Sequence, residues 1–335
     1  MQQFLHQWQK FTQQKLSYYS LIILLIIFAI SMLSGLIANN KPLLIKFNNK
    51  FYFPLWQEIP ETTFGGSFYT TANYLDPITT SLIKKHGWLI MPPIPYSFDT
   101  LSLNNPKSAP AKPSIYNFLG TDDWGRDVFA RLLYGIKISL GFALLLSFFS
   151  LAIAIVLGAI QGYFAGWVDL LLQRFSEIWS SLPVMFLLIL FSAVITPNFF
   201  SLLLILLAFS WLSIVGFIRL EFLKLKQQNF VKSSIALGAS PYRIIFYHIL
   251  PNALPIILAN LPFLVASSLT TLTALDFMGF GLPVGTPSLG ELLAQGKNNL
   301  KAYWLGITGF VTTTIILVLL VFIGEGLNKI NNPYE

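Results

Sequence analysis

The side chains able to do covalent or metal chemistry are few and scattered. Cysteine is absent from the 335 residues, which removes thiol nucleophiles, thiolate metal sites and disulfides together. The three histidines, His6, His86 and His248, stand far apart with no His-Glu-x-x-His between them, so a zinc hydrolase has no pattern to rest on. No Gly-x-x-x-x-Gly-Lys-Ser/Thr loop exists to cradle nucleotide phosphates. "TDDWGRD" offers Asp122, Asp123 and Asp127, which imitates the start of a calcium loop but lacks its later ligands. The local reading is a Thr or Asp cap on a helix starting near Trp124, with Arg126 and Asp127 at a boundary between segments. No catalytic residue, metal site or bound cofactor is expected in this chain.

Two polar stretches remain. In "VKSSIALGASPYRIIFYHILPN", Val231 to Asn252, Gly238 suits the left-handed position that ends a helix. Ser240–Pro241 then supplies an N-cap and a first-turn proline. Leu250 and Pro251 are expected to close a second short helix, and Pro251 and Pro255 to join it to the next span. Val231, Ser234, Ile235 and Gly238 share a face of the first helix, and Ser233, Ser234 and Ala236 keep it slim. Such a segment either enters a groove on a partner or lies on the lipid surface. The second stretch, "SSLTTLTALDF", places Thr270, Thr271 and Thr273 where hydroxyls line a path or pack helices. Asp276 follows at its outer end, placed to meet an amine or to pair at the helix terminus.

The elements holding these stretches are membrane spans. The chain is 55% hydrophobic and 10% charged, against about 25% charged in soluble domains. Six apolar segments read as helices: Tyr19–Ala38, Ile136–Tyr163, Leu182–Ile195, Ser201–Ile218, Pro255–Leu275 and Trp304–Ile323. The first is too long for a signal-peptide core and no Ala-x-Ala site follows it, so it reads as an uncleaved anchor. Leu182–Pro183 marks the start of the third, and Thr196–Phe200 turns into the fourth. Residues 1–38 then form a tail and first span, 39–134 a long insert, 135–330 a five-helix core, and 331–335 a tail. The insert is rich in Pro, Asn, Tyr and Trp ("WLIMPPIPYSF", "PKSAPAKPS"). With no sustained helical period, it reads as an irregular subdomain whose aromatics argue against disorder.

Basic residues set the orientation. Arg219, Lys224, Lys226, Lys232 and Arg243 fall in one loop, and Lys10 and Lys15 in the N-terminal tail. The opposite loops carry only Lys297 and Lys301, while the insert is too long to count. Both termini are therefore expected inside and the insert outside. The net charge of +7 serves topology at an anionic lipid surface and not nucleic acid.

The polar segment resembles the cytoplasmic coupling motif of ABC importer permeases, Glu-Ala-Ala, three residues, Gly, then nine residues before Ile-x-Leu-Pro. Here the register gives Lys232-Ser233-Ser234, Gly238 with Ala239 after it, and His248-Ile249-Leu250-Pro251. Gly, Leu and Pro match; Lys232 stands where the family usually has Glu, and two serines replace alanines. "LGTDDWGRDVFARLLYGIKISL" (Leu119–Leu140), "LQRFSEIWSSLP" (Leu172–Pro183) and "LDFMGFGLPVGTPSLGELL" (Leu275–Leu293) resemble segments of dipeptide and oligopeptide permeases. The aromatic insert and "SLGELLAQGKNNLKAYWLGIT" look most like the permease of the microcin C and peptide uptake system. The likeness covers residues 115–330.

The resemblance implies an all-α polytopic membrane protein of the type I ABC importer kind, with the insert between spans one and two. It implies a bacterial cytoplasmic (inner) membrane location, a second permease, two ATPase subunits carrying ATP and Mg, and an external solute-binding protein. Two rivals stay in view: a stand-alone ion-coupled carrier and a membrane docking protein without an ATPase. The central stretches of the six spans hold no Asp, Glu, Lys, Arg or His, which weakens the proton-coupled carrier. Arg219, Glu221 and Glu325, near span ends, are expected to snorkel or pair.

Overall fold

A long apolar run can satisfy its amides in lipid only by bonding them to its own carbonyls. The computed structural model describes residues 9–102, 109–194 and 197–331. His6, Ile195, Thr196, part of the 106–114 stretch and the tail beyond Asn331 lie outside them. In chain order the helices are α1 (Lys15–Met32), α2 (Ser34–Ile37), α3 (Pro77–His86), α4 (Val128–Phe164), α5 (Gly166–Ser180), α6 (Val184–Val194), α7 (Phe199–Ser210) and α8 (Leu212–Lys226). Then follow α9 (Asn229–Ala236), α10 (Pro241–Ala259), α11 (Leu261–Met278), α12 (Leu289–Asn298) and α13 (Tyr303–Asn331).

Five of these, α1, α4, α10, α11 and α13, are long and apolar enough to cross a membrane. The third expected span, Leu182–Ile195, coincides with α6, which meets α5 at 60°, so the stretch read as a loop before it is helical; the fourth is the bent pair of α7 and α8, at 42°. Leu182–Pro183 lies at the first bend, and Asn198 caps α7 by a reciprocal bond with Ser201. The expected fifth span, Pro255–Leu275, straddles α10 and α11, which are separated at Asn260.

By its internal contacts the chain divides into two compact units. The first holds the chain up to Leu25, Ser139–Val284 and everything from Thr313 on; the second holds Ile26–Ile138 and Gly285–Thr312. The first unit has its main core around α8, where Ile214, Val215, Ile218 and Phe222 pack with Leu151, Ala154, Ile244, Ile249 and Ile257. Gly158 and Gly162 let α4 approach α8 closely. A Cβ on Gly162 would lie 2.5 Å from Phe222 Cβ, and one on Gly158 2.8 Å from Ile218 Cγ2. This is the small-xxx-small spacing by which membrane helices bring their backbones together.

In the second unit the insert departs from the irregular subdomain expected. Strands β1 (Leu44–Phe47), β2 (Lys50–Tyr52) and β3 (Gly87–Ile90) form an antiparallel sheet in the order β2-β1-β3. Asn48 and Asn49 both take left-handed φ, 48° and 60°, the two-residue turn that best matches strand twist. Asp76 caps α3 by accepting from the Thr79 amide, and Pro77 opens its first turn. Ile45, Phe47, Phe64, Tyr74 and Ile83 bury one face as a small core. Strands this short carry too few residues for alternation to be read from sequence.

Burial pushes the Tyr74 phenol up from 10.0 to about 12. A folded value above the unfolded one adds stability below pH 10.0 that is lost as pH rises through about 12. An alkaline absorbance titration is expected to show a last-ionising tyrosine in wild type that is missing from Tyr74→Phe. Its presence in both would exclude Tyr74 as the shifted group.

Candidate functional site

Helix α9 ends as its glycine foretells. Gly238 sits at φ +77°, the Ala239 amide reaches back to Ser234 O and the Gly238 amide to Ile235 O. This pair of bonds satisfies carbonyls the helix would otherwise leave open. The chain then reverses through Ser240, whose hydroxyl accepts from the Arg243 amide, and Pro241 starts α10. Val231, Ile244 and Ile249 are buried in the first unit's core and seat the segment. Lys232, Ser233, Gly238 and Pro251 are exposed, and Ser234, Ala239 and Leu250 half-buried. Of the stripe expected on α9, Val231 faces inward while Ile235 and Gly238 remain exposed.

The expected break at Leu250–Pro251 is absent. Helix α10 runs on through a π turn, Ile244–Ile249, in which the Leu250 amide bonds Ile245 O. Pro251 has no amide to give to Tyr247 O, and its ring crowds that carbonyl in a regular helix. The wider turn lies just before it, and the helical run continues past the proline to Ala259.

The segment also presents an apolar knob that the motif does not include. Leu237 is 87% exposed and Tyr247 70%, and the exposed rings of Tyr242 and Phe246 lie 4.6 Å apart, tilted at 38°. Aromatics crowded into a polar loop ("SPYRIIFYH") were the available signal.

Behind the segment α8 is clamped to α5. Arg219 Nε and Nη2 donate to the two carboxylate oxygens of Asp169, each at 2.6 Å, a planar two-bond match suited to guanidinium. Lys226 Nζ donates to Tyr163 O. Arg219 therefore pairs, as one of the two expectations for it held. A double-mutant cycle of Asp169→Asn and Arg219→Gln on thermal unfolding is expected to return a coupling of about 1 kcal/mol. Additive single effects would show the pair to be idle.

The hydroxyls of α11 divide. Thr270 and Thr271 donate to Ala266 O and Ser267 O within their own helix, whereas Thr273 is buried. Asp276 is buried too, and its Oδ1 accepts from the Leu282 amide at 2.8 Å. It braces the loop after α11 instead of facing outward.

Residues 154–334 match the family described as "Binding-protein-dependent transport system inner membrane component". The chain belongs to that family. It is 47% identical to the "Inner membrane ABC transporter permease protein YejE" of Escherichia coli (strain K12), over 97% of this chain and 96% of that one. To the "Peptidoglycan transport system permease protein YejE" of Agrobacterium fabrum it is 44% identical, over 97% and 92%. To the "Oligopeptide transport system permease protein OppC" of Haemophilus influenzae it is 33% identical, over 84% and 89%. A chain of the MetNI methionine ABC transporter, solved in inward-facing conformations, superposes with a TM-score of 0.50 at 18% identity. That match covers 59% of this chain and 94% of the other, and places the membrane part in the type I importer permease fold. Nothing among these relatives points to a stand-alone carrier.

The permease also holds a buried ionic network in its second unit. Helix α4 starts at Val128 and not near Trp124: its cap is Asp127, whose Oδ1 accepts from the Ala130 amide at 2.8 Å. Asp122 instead folds the turn before it, accepting from the Trp124 and Arg126 amides and from Arg126 Nε at 2.7 Å. Arg131, fully buried, bonds Glu291 of α12, Phe98 O and Gly285 O. Burial pushes the Glu291 and Asp127 carboxyls above the usual range; Arg131 draws the first back, and the Ala130 amide the second. Among the described residues no acidic, His or Cys cluster could hold a metal ion, so the "TDDWGRD" turn is a joint between α4 and α12.

Proposed function

We propose that this permease carries peptides or peptide-like compounds inward across a bacterial cytoplasmic membrane, driven by ATP hydrolysis on separate subunits. The observation that carries this reading is the 229–251 segment, exposed on its outer face and seated by Val231, Ile244 and Ile249 on the core that holds α8. The names of its relatives, oligopeptide and peptidoglycan transport permeases, support the cargo class. Two ATPase subunits bind ATP and Mg and grip Lys232–Pro251; this chain binds neither. A second permease, usually a different chain, completes the pathway, and an external solute-binding protein delivers cargo to the insert side. Both termini face the cytoplasm. Lys232, where the family usually has Glu, meets a partner surface that accepts a base. Closure of the ATPases moves the segment as a near-rigid unit and biases the spans between inward- and outward-opening states. Thr270, Thr271 and Thr273 border the path, whereas Asp276 is occupied locally.

The test is co-purification in mild detergent. A Cβ on Gly238 would meet open space, so a side chain there costs left-handed strain of about 1–2 kcal/mol and obstructs whatever docks. Wild type is expected to carry an ATPase that Gly238→Trp, still folded and melting lower only by the small amount this strain costs, loses. A wild type without any ATPase under conditions that preserve membrane complexes would overturn the reading.

A further inference from the structure

The membrane part contains a cavity of about 240 Å³ lying wholly within the first unit. Its polar rim is hydroxyl throughout: Ser210 and Ser213 from α7 and α8, and Ser267, Ser268 and Thr271 from α11. Met185, Phe209 and Leu264 are among the apolar side chains of its wall, and no ionisable residue lines it. Hydroxyls on membrane helices most often serve packing, and two pairs near this cavity do so: Ser147 with Ser268 and Ser150 with Ser210. The others are arranged differently. Ser213 gives its proton to Ser210 O at 2.8 Å and Thr271 gives its proton to Ser267 O at 2.9 Å. Neither proton is available to a guest, so both oxygens meet one with lone pairs alone. Ser213 and Ser267 are exposed and Thr271 half-buried, which opens this rim to the outside of the bundle.

We infer that this cavity holds the uncharged side chain of one internal residue of the translocated peptide, with the N–H groups of that residue and of the residue after it hydrogen-bonded to Ser213 and Thr271. The inference rests on the peptide reading above and extends it to the kind of residue admitted. Acceptor oxygens match amide donors, which every peptide residue except proline offers. A charged side chain would lose its hydration and find no counter-ion, a burial of the costly kind. The size agrees: the volume of about 240 Å³ falls just short of the roughly 300 Å³ at which whole-ligand pockets begin. One residue fits, with the rest of the chain lying outside.

This chain has no cysteine, so a thiol placed in it is the one maleimide site on its own gel band, whatever cysteines the partner subunits carry. The complete transporter carrying Ser267→Cys is reconstituted in vesicles with its binding protein, and maleimide labelling is timed with Ala-Leu-Ala or Ala-Lys-Ala present. Labelling is expected to slow with Ala-Leu-Ala and to stay unchanged with Ala-Lys-Ala. In parallel, Ser267→Asp supplies a counter-ion and is expected to raise uptake of Ala-Lys-Ala relative to Ala-Leu-Ala about tenfold, the scale of one charged hydrogen bond. Wild-type uptake of the peptides with identical labelling under both, and an unchanged uptake ratio in Ser267→Asp, would overturn the inference while leaving the peptide reading intact. A wild type that imports neither peptide would overturn both.

Discussion

Arg131→Met is expected to lower the stability of the second unit by about 3–5 kcal/mol, the cost of breaking a buried ion pair from one side. Arg131 is fully buried and serves four partners: Glu291, Phe98 O, Gly285 O and, with Nε at 3.3 Å, Asp122. Methionine fills the volume and satisfies none of them. Glu291 is already held above the usual carboxylate range by burial, against the pull of Arg131 and then Arg126. Without Arg131 it rises further. A carboxyl whose folded value exceeds its unfolded one favours the fold below the unfolded value and loses that contribution as pH rises through the folded one. The deficit of Arg131→Met against wild type should therefore be smallest at mildly acidic pH and grow towards alkaline pH. Glu291→Gln added to Arg131→Met should recover part of the loss. Thermal unfolding in detergent across that pH range decides the matter: a variant that melts with wild type throughout would mean the network adds nothing.

The second large effect is expected at Gly162. Valine there is expected to cost about 2–3 kcal/mol through overpacking, because even its Cβ would stand 2.5 Å from Phe222 Cβ and 2.7 Å from Arg219 O. Backbone cannot step aside as a side-chain tip can. Helix α8 must retreat from α4, which pulls Arg219 away from Asp169 and displaces the helix that leads into 229–251. Gly162→Val should thus lower the melting temperature and also the amount of co-purifying ATPase. Gly216→Val on the same helix α8, where a Cβ meets nothing within 4 Å, should do neither. Equal behaviour of the two variants would exclude close approach as the cause.

What the sequence made legible follows the range of the interactions. Gly238 and Ser240–Pro241 were readable because the backbone chemistry of one or two residues decides a cap or a reversal. Pro251 misled because a proline forbids one hydrogen bond without fixing how the helix compensates, and a π turn compensates as well as a break does. Asn48–Asn49 carried a hairpin signal, but strands of four, three and four residues gave no alternation to confirm it. The long-range ion pairs were out of reach: Arg131 and Glu291 are 160 positions apart, and Asp169 and Arg219 are 50 apart. Nothing local marks either carboxylate as a guanidinium's partner. The hydroxyl-rimmed cavity was half-visible, since Thr271 stood out among apolar neighbours, whereas Ser213 belongs to a helix of different register.

The unbroken helix between Pro241 and Ala259 has a mechanical consequence. Its 19 residues make a strut of about 28 Å at about 1.5 Å per residue. Pro251 supplies no hinge within it, so a tilt applied at Ser240 is carried along its length. Pro255, inside the helix, removes one more amide from it, but the helical run itself ends only at Asn260, outside both helices and followed by Pro262, which has no amide to tie the joint. Helices α10 and α11 are thus two bars of a linkage pinned at Asn260. A tilt of about 10° at one end of such a strut sweeps the other through roughly 5 Å, the rise of one helical turn.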